Sequence, residues 1–510
     1  MKAILSVSNK AGLAEFAQGL ARLRVDIYST GGTKRSLTEA GVAVHSISDL
    51  TGFPEILDGR VKSLHPAVHG GLLARRDKPA HMDELAKQGI GPIDLVAVNL
   101  YPFVETVIRA GVTLDDALEN IDIGGPTMIR AAAKNLPAVL VVVEPSDYAT
   151  VLERLAAGEV PLEFRQRLAQ KAFQHVAIYD TAIAEYLRPA EDLPAEMTLA
   201  MVKKADMRYG ENPHQRAAFY VERSVRTGRV PGLATAAQLH GKELSYNNIM
   251  DADAAWAAAT DFVEPTIAII KHTNPCGLAS DTSLVDAYRR AFAGDPVSAF
   301  GGIVASNRPI DAATAEEIRP TFYEIVIAPS FDEAALAILK RKRDLRILAT
   351  GGLPEARDLG WDVRRVRGGY LVQDFDVAGD EGIQLKTVTK REPTPAELDD
   401  LLFGWRAAKH VKSNSIVLAK ARAIVGMGAG QPNRVTSVHL ALRRAEERSR
   451  GSVLASDAFF PFPDGVEMAA GGGVTAVIQP GGSIRDEEVV AEADKHNIAM
   501  VFTGVRHFRH

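Results

Sequence analysis

The chain has 510 residues, of which 46% are hydrophobic and 24% charged, and its net charge is −5 at pH 7. These values are typical of a soluble protein with about three domains, or equally with two larger ones. The small net charge argues against nucleic acid or membrane surfaces as partners. The single cysteine excludes an internal disulfide framework and any metal site built from several thiolates. Without a signal-peptide pattern or a membrane-length apolar run, the sequence predicts a cytoplasmic protein.

The first 140 residues alternate between short apolar segments and amphipathic segments. Such alternation predicts an α/β fold, and continuous apolar runs are typical of strands buried on both faces of a parallel sheet. Helices are predicted from about 148 to 187, and the proline-rich "YLRPAEDLPAEM" (186–197) reads as a linker. The predicted strands are "AILSV" (3–7), "RVDIYS" (24–29), "VAVHSIS" (42–48), "IDLVAVNL" (93–100) and "AVLVVVE" (138–144).

Polar segments follow several of these strands, where a parallel sheet places its ligand crevice. "SVSNK" (6–10), "STGGT" (29–33) and "NLYPF" (99–103) come directly after strands. "STGGT" is either a tight turn that needs glycine or a phosphate site at the start of a helix, and the lysines expected nearby favour anion binding. Candidates for one site in this region are Ser8, Lys10, Arg60, Lys62, Tyr101, Asp122, Arg130 and Lys134.

From about residue 198 the chain again alternates strands and helices. In "AIIKHTNPCG" (268–277) an apolar run stops at Lys271 and His272, and the residues from Asn274 to Gly277 are predicted to break the strand and turn both side chains into one cavity. A lysine can stabilise an oxyanion and a histidine can move a proton. Cys276 with His272 as its base would instead be a nucleophile, and a plain solvated turn is the structural alternative.

Three further patterns have a structural explanation as well as a functional one. His65 and His69 have the spacing of a helical zinc site but lack the adjacent glutamate, so packing or loop roles are favoured. "GMGAGQ" (426–431) matches a dinucleotide fingerprint only in part and no Walker A pattern is present, so a nicotinamide- or ATP-dependent reaction is unsupported. The phenylalanines of "SDAFFPFPDG" (456–465) either pack in a core or wall a pocket for a flat ligand.

Taken together, the loops resemble a known family. "STGGT", "RVKSLHP", "NLYPF", "NIDIGGPTMIRAAAKN", "RYGENPHQ", "KHTNPCG", "DPVSAFGGIVA", "SDAFFPFPDG" and "QPGGSIRDEEV" occur in the order found in the bifunctional purine-biosynthesis family, bacterial form. This family combines 5-aminoimidazole-4-carboxamide ribonucleotide (AICAR) formyltransferase with inosine monophosphate (IMP) cyclohydrolase. The resemblance implies a methylglyoxal-synthase-like cyclohydrolase domain at 1–197, including the helical linker, and a formyltransferase domain of two cytidine-deaminase-like α/β subdomains at 198–510.

The resemblance also implies the reactions and the partners. A formyl group passes from 10-formyl-tetrahydrofolate to the 5-amino group of AICAR, and the product then cyclises to IMP with loss of water. It implies no catalytic metal, leaves a structural monovalent cation open, and implies a homodimer with the formyltransferase sites at its interface.

Site residues follow from the resemblance position by position. It makes His272 the proton acceptor in formyl transfer, Lys271 the group that stabilises the oxyanion, and Asn414 a neighbour of the formyl group. Around ring closure it places Lys62, Tyr101, Asp122 and Lys134; Asp122 and Lys134 suit proton transfer, and Tyr101 suits polarising the formyl oxygen. The substrate-binding positions implied are Ser8, Lys10, Ser29, Thr30, Gly31, Thr33, Arg60, Arg208, Tyr209, Asn248, Arg434, Phe459, Asp464, Arg506 and His510.

The sequence leaves two rival functions open beside the bifunctional enzyme. The N-terminal fold also occurs in allosteric nucleotide sensors, which "STGGT" alone would fit, and Cys276 would serve an acyltransferase that forms a covalent intermediate. One departure from the family pattern is Gly465, which stands where some relatives have asparagine after the aspartate of the aromatic loop.

Overall fold

A computed structural model describes residues 1–109, 111–189, 193–224, 230–355, 360–377 and 383–510. The chain divides into two compact units, Met1–Val202 with Glu222–Val225 and Lys203–Val221 with Arg226–His510. Within the described residues, none of the helices has the length and apolar character needed to cross a membrane.

The first unit is built on a parallel five-stranded sheet of order β3-β2-β1-β4-β5. One hydrophobic core covers each face of it, and side chains of β1 alternate between the two: Ile4 packs on one side, Ala3 and Leu5 on the other. The predicted parallel sheet is therefore confirmed. The strands are β1 Lys2–Val7, β2 Asp26–Ser29, β3 His45–Ser46, β4 Leu95–Asn99 and β5 Leu140–Val142.

Ten helices flank this sheet among the described residues. The predicted helical stretch after residue 148 is present as the last two of them. They are α1 Leu13–Arg22, α2 Gly31–Glu39, α3 Ile47–Thr51, α4 Pro66–Leu73, α5 Pro79–Lys87, α6 Phe103–Val107, α7 Leu114–Glu119, α8 Gly124–Lys134, α9 Tyr148–Ala156 and α10 Leu162–Leu187.

A local hydrogen bond explains why one predicted strand is shorter than expected. The strand predicted at 42–48 is reduced to β3, because the Ser46 N–H donates to the Asp49 carboxylate at 2.8 Å and starts α3 instead. Pro66 does not interrupt a helix but begins α4, a position where its missing N–H costs nothing. His65 caps that helix, since its Nδ1 accepts the Ala67 N–H at 3.1 Å.

The second unit contains two six-stranded mixed sheets of similar design, of order β10-β9-β11-β12-β13-β8 and β16-β21-β20-β19-β17-β18. Each combines an antiparallel hairpin with three parallel strands. Two-stranded ribbons β6-β7 and β14-β15 accompany them. The strands are β6 Met201–Met207, β7 Ala217–Glu222, β8 Ala237–His240, β9 Thr266–Lys271, β10 Asn274–Ser280, β11 Ile303–Ser306, β12 Ile325–Ala328, β13 Arg346–Ala349, β14 Trp361–Val366, β15 Gly369–Asp374, β16 Lys386–Thr387, β17 Ile416–Ala419, β18 Ile424–Gly428, β19 Val453–Ser456, β20 Ala476–Gln479 and β21 Ala499–Phe502.

One shared core joins the two sheets through a pair of alanine-rich helices, α11 and α16, whose buried faces pack with residues of both sheets. This mixed architecture agrees with the predicted α/β fold class. The helices are α11 Tyr246–Thr260, α12 Leu284–Gly294, α13 Pro296–Ala299, α14 Ala312–Ile318, α15 Glu333–Leu339, α16 Pro395–Lys409, α17 Arg434–Ala445, α18 Asp464–Gly471 and α19 Asp486–Lys495.

Candidate active sites

In the first unit, the loops that follow β1 and β4 lie side by side. The backbone N–H groups of Ser8 and Asn9 both donate to the side-chain oxygen of Asn99, at 2.7 and 2.9 Å. β1 and β4 are neighbouring strands whose next connections run in opposite directions across the sheet. This is the topological switch point at which open parallel sheets bind ligands, so the rim predicted from the sequence is where the candidate residues gather.

The "STGGT" segment is held by its own hydroxyl groups. Ser29 Oγ donates to the Leu5 carbonyl at 2.6 Å, and Thr33 Oγ1 bonds both the N–H and the carbonyl of Val7 at 3.0 Å. Both side chains are buried, so they fix the loop and leave the ligand-facing role to the backbone at Thr30 and Gly31, where α2 begins. The start of a helix presents free N–H groups and positive potential to an anion.

Lys62 lies at this helix start. A Cβ added to Gly31, whose φ is +48°, would lie 3.7 Å from Lys62 Nζ. The ammonium is also 3.8 Å from the Glu55 carboxylate. Lys10 is exposed, and Arg60 forms an exposed ion pair with Glu119. Lys62 is therefore the cation that the structure brings to the glycine loop.

Asp122 is anchored just before α8. One of its carboxylate oxygens accepts the Gly125 N–H at 2.8 Å, and its own N–H donates to the Tyr179 hydroxyl at 2.7 Å. Burial raises the pKa of the Asp122 carboxyl, while the Gly125 N–H and the Lys62 ammonium act against that rise. A carboxyl with a raised pKa holds a proton closer to neutral pH, as general acid–base catalysis requires.

The structure separates two residues that the sequence placed together for proton transfer. Asp122 precedes the first residue of α8 and Lys134 is its last, and a helix of this length rises roughly 15 Å. Lys134 is exposed there, Tyr101 is 51% exposed, and the Arg130 guanidinium lies 5.6 Å from the Phe173 ring centre. The two residues therefore lie at opposite ends of one helix, and the roles expected for each of them in ring closure stay predictions.

In the second unit, the main break in the strand lies earlier than predicted, and the predicted segment carries a smaller irregularity. β9 ends at Lys271 and β10 already begins at Asn274, while the pairing of β10 with β9 shifts register between Pro275 and Gly277. His272 and Thr273 form the turn instead, with φ of +54° and +58°. Left-handed conformations are unfavourable for residues with side chains. The Asp251 carboxylate of α11 supports them by accepting both turn N–H groups, at 3.2 and 2.7 Å.

This turn is joined to the loop that carries Asn414. The side-chain oxygen of Asn274 accepts the Lys412 N–H at 3.2 Å, although the two residues are far apart in sequence. His272 is exposed on the turn, and Lys271 Nζ donates to the Phe300 carbonyl at 2.7 Å. The structure thus brings the Lys271–His272 segment and the Asn414 loop next to each other.

An aromatic cavity of about 390 Å³ opens beside Asn414. Its wall includes phenylalanines of the predicted aromatic loop and Phe508 of the C-terminal segment. Gly465 lies against Phe460 of this wall, where a Cβ would come within 2.6 Å of the Phe460 ring. Five residues predicted from the sequence line the cavity: Asn414, Arg434, Phe459, Asp464 and Arg506.

Arg434, which lines the cavity, also has a structural role. Its guanidinium forms a buried ion pair with Asp457 and donates to the Asn414 side-chain oxygen at 2.7 Å. It also donates to Ser456 Oγ at 2.7 Å. Through its bond to the side-chain oxygen, Arg434 holds Asn414 in place, and the Asn414 amide in turn donates to the Gln431 carbonyl at 2.7 Å.

The remaining predicted residues are placed less directly. Asn248 lies one turn before Asp251 in α11, and its side-chain oxygen accepts the Ser245 N–H at 3.1 Å in the helix cap. Arg506 stacks at 4.7 Å over Phe508, and the His510 carbonyl accepts a hydrogen bond from Arg364 at 3.1 Å. Arg208 lies over the Tyr209 ring at 5.7 Å. Among the contacts of the described residues, none joins this last pair to the turn or the cavity.

Comparison with known proteins identifies the chain. The sequence profile of the AICARFT/IMPCHase bienzyme matches residues 132–444, and that of the MGS-like domain matches residues 12–127. The chain belongs to the AICARFT/IMPCHase bienzyme family. This confirms the family, the fold class and the pair of activities, AICAR formyltransferase and IMP cyclohydrolase, that were expected from the sequence.

Full-length relatives support the assignment. A protein of Halalkalibacterium halodurans named bifunctional purine biosynthesis protein PurH is 54% identical over 512 residues, covering 100% of this chain and 99% of the relative. Proteins of the same name from Acetivibrio thermocellus and Anoxybacillus flavithermus are 52% and 55% identical with the same coverage. A solved structure, of ForH, is 42% identical and covers 36% of this chain and 95% of its own, with a TM-score of 0.34.

The rival based on a cysteine nucleophile does not fit this bienzyme. Burial, reinforced by the Asp295 carboxylate, raises the pKa of the Cys276 thiol to about 12. The thiol donates to the Ile269 carbonyl at 3.3 Å, and only the thiolate is a good nucleophile. Among the described residues, no group of three or more His, Cys, Asp or Glu side chains is placed to hold a metal ion.

Several residues that shape the candidate site of the second unit were not predicted from the sequence. Asp251 accepts the His272 N–H, and Asp457 forms an ion pair with the buried Arg434. The Phe300 carbonyl accepts a hydrogen bond from the Lys271 ammonium. Asp457 lies inside the recognised "SDAFFPFPDG" motif, so a buried carboxylate was open to prediction there. Asp251 carries no comparable signal, because its partners are backbone groups of a distant turn.

Proposed function

We propose that residues 1–197 carry the cyclohydrolase activity of this bienzyme and residues 198–510 the formyltransferase activity, with 10-formyl-tetrahydrofolate as the formyl donor. The match of residues 12–127 to the MGS-like domain supports the first assignment. The second rests on the Lys271–His272 turn, the Asn414 loop and the aromatic cavity, which all belong to the second unit.

In formyl transfer, the 5-amino nitrogen of AICAR attacks the formyl carbon of 10-formyl-tetrahydrofolate, and His272 accepts the proton that this nitrogen loses. The bond between the formyl carbon and N10 of the folate then breaks, N10 takes up a proton, and tetrahydrofolate leaves. Lys271 stabilises the negative charge that develops on the formyl oxygen. An ammonium has three N–H donors, so Lys271 can keep its bond to Phe300 while donating to the substrate. Asn414, held by Arg434, presents its amide beside the formyl group.

The aromatic cavity suits a flat heterocycle. Phe459, Phe462 and Phe508 supply apolar walls, while Arg506 and Asp464 supply charged groups for polar edges. A volume of about 390 Å³ lies within the range of small-molecule pockets. We assign this cavity to the ring systems of the formyl donor and of AICAR.

In cyclisation, the carboxamide nitrogen attacks the formyl carbon and water leaves. The phosphate lies at Thr30 and Gly31, where backbone N–H groups meet the Lys62 ammonium. Asp122 exchanges the proton, for which its raised pKa suits it, and Tyr101 polarises the formyl oxygen. Lys134, at the other end of α8, serves as electrostatic support.

The two steps benefit from one chain because formylation of a weakly nucleophilic aromatic amine is unfavourable. Ring closure to an aromatic purine pulls it forward.

By the same family resemblance the enzyme is a cytoplasmic homodimer. The β14-β15 ribbon exposes apolar side chains, with Tyr370 at 58% and Leu371 at 63% exposure, and a second subunit that covers this ribbon would bury them. Light scattering of the purified chain measures the number of subunits.

The observation that carries the mechanism is the hydrogen-bonded link between the His272 turn and the Asn414 loop. The test mixes purified full-length protein with AICAR and 10-formyl-tetrahydrofolate, without ATP, NAD or added metal, and follows IMP by chromatography. The intact enzyme forms IMP, and the Asp122→Asn variant accumulates formylated AICAR. IMP formation by Asp122→Asn at the normal rate would overturn the proton-transfer role of Asp122.

A further inference from the structure

The long helix α10 presents two polar side chains to the cyclohydrolase loops. Its buried residues Leu168, Ala172, Val176 and Tyr179 recur at the spacing of one helical face. His175 and Tyr179 are four residues apart and therefore neighbours on the helix surface. The sequence predicts only a helix for this stretch, and neither side chain has a role in the proposed cyclisation.

The Tyr179 hydroxyl holds the turn that carries Asp122. It accepts the Asp122 N–H at 2.7 Å and lies 3.2 Å from the Asn120 carbonyl, to which it donates. The ring is 8% exposed and packs edge-on against Phe103 at 6.2 Å. Burial raises the pKa of Tyr179 to about 12, so the proton given to Asn120 is kept at neutral pH. With Gly125 bound to its carboxylate, Asp122 is thereby fixed on both its backbone and its side chain.

His175 acts one turn earlier on the neighbouring loop. Its Nε2 accepts the N–H of Leu100, the residue before Tyr101, at 3.4 Å. An imidazole nitrogen accepts a hydrogen bond only when it carries no proton. Burial, assisted by the Arg223 and Lys171 cations against the Glu144 carboxylate, lowers the pKa of His175 and favours that neutral form.

We propose that Tyr179 is a positioning residue for cyclisation, which aims the Asp122 carboxyl by fixing the Asn120–Asp122 turn, and that His175 fixes the Tyr101 loop from the same helix face. The inference rests on the proposed function, in which Asp122 moves the proton. No substrate atom needs to touch either side chain.

The first experiment removes one oxygen atom. Tyr179→Phe should lower kcat for cyclisation of supplied formylated AICAR by about 10- to 100-fold, because small misplacements of catalytic groups are costly. KM should change by less than about 3-fold, since the phosphate loop is untouched, and the initial rate of formyl transfer should not change. Tyr186→Phe is the matched control, because Tyr186 lies on the same helix and also packs edge-on against Phe103; its kcat should be normal.

A double variant separates positioning from general loosening of the fold. In the Asp122→Asn background, Tyr179→Phe should cause no further loss, because residues that act as a unit are not additive. Two results would overturn the inference and leave the proposed function intact. One is an equal loss of kcat from Tyr179→Phe in both backgrounds. The other is a normal kcat in Tyr179→Phe while Asp122→Asn is inactive. Normal kcat in Asp122→Asn instead removes the proposed role of Asp122, and the inference with it.

The second pair of variants does not depend on how Tyr179→Phe folds. His175→Leu removes the acceptor for the Leu100 N–H and should lower kcat for cyclisation. His175→Gln supplies an amide oxygen in its place and should restore most of the activity. Equal activity of the Leu and Gln variants overturns the role assigned to His175.

Discussion

The two hairpins of the second unit, β9-β10 and β17-β18, are built alike but differ in chemistry. Each turns through two residues with left-handed backbone, His272–Thr273 in the first and Ala421–Arg422 in the second. In each, both turn N–H groups donate to one aspartate of a core helix. Asp251 of α11 accepts them at 3.2 and 2.7 Å, and Asp400 of α16 accepts them at 2.8 and 2.6 Å.

The lysine before each turn is also duplicated. Lys271 Nζ donates to the Phe300 carbonyl at 2.7 Å, and Lys420 Nζ donates to the Arg450 carbonyl at 2.8 Å. The turn, its aspartate and its lysine are therefore properties of the repeated fold. What distinguishes the first hairpin is the imidazole of His272, where the second has the methyl group of Ala421, and its link through Asn274 to the Asn414 loop. The imidazole is therefore the group whose removal tests the proposed formyl transfer most directly.

The largest effect is expected from His272→Ala, which makes the first turn resemble the second. Loss of a general base typically costs about 100- to 10,000-fold in rate, so formyl transfer should fall by that factor. Cyclisation of supplied formylated AICAR should continue at the normal rate. Initial rates of both reactions, with exposed His439→Ala as the control, measure this; a loss of formyl transfer below about 10-fold would refute the role of His272 as general base.

The second largest effect is expected at the buried Arg434–Asp457 ion pair beside Asn414. Asp457 follows strand β19, and the residue that follows the equivalent strand β11 of the other sheet is Asn307. Its neutral side chain accepts the Thr266 N–H at 2.8 Å. Arg434→Met leaves Asp457 buried without its partner and should lower the free energy of unfolding by about 3–5 kcal/mol, and formyl transfer with it. Urea unfolding compares it with exposed Arg443→Met on the same helix; equal transition midpoints would show that the pair contributes nothing.

The first unit was largely predictable because its polar segments follow continuous apolar strands. Topology alone then places Ser8, the glycine loop and Tyr101 at one rim. The local errors there have local causes: the Ser46–Asp49 hydrogen bond starts a helix where a strand was expected, and the length of α8 keeps Lys134 from Asp122.

The candidate site of the second unit was recognisable only through its motifs. A turn at His272 and Thr273, without glycine, runs against residue preferences and exists because Asp251 supports it. The links from Asn274 to Lys412 and from Arg434 to Asp457 join segments that no local pattern relates. Long-range polar contacts of this kind leave no periodic trace in a sequence.

A smaller effect should separate the two aspartates that support the hairpins. Asp251→Ala and Asp400→Ala each remove an acceptor of two N–H bonds, and each should cost about 1.5–3 kcal/mol of stability. Only Asp251→Ala should also lower formyl transfer, by about 10-fold or more, because only that turn carries the imidazole. Thermal unfolding and initial rates on both variants measure this; similar loss of formyl transfer in both would mean that the turns act only through stability.

The smallest effect is expected at the cysteine that follows the active turn. Cys276→Ser keeps a donor for the Ile269 carbonyl in a similar volume, so formyl transfer should stay within about 3-fold of normal. Because the pKa of Cys276 is raised to about 12, the thiol is protonated at neutral pH, and alkylation by iodoacetamide should be slow and should accelerate as the pH rises. A loss of several orders of magnitude in Cys276→Ser would make the thiol the nucleophile after all. The imidazole would then serve that thiol, and the contrast between His272 and Ala421 would need a different explanation.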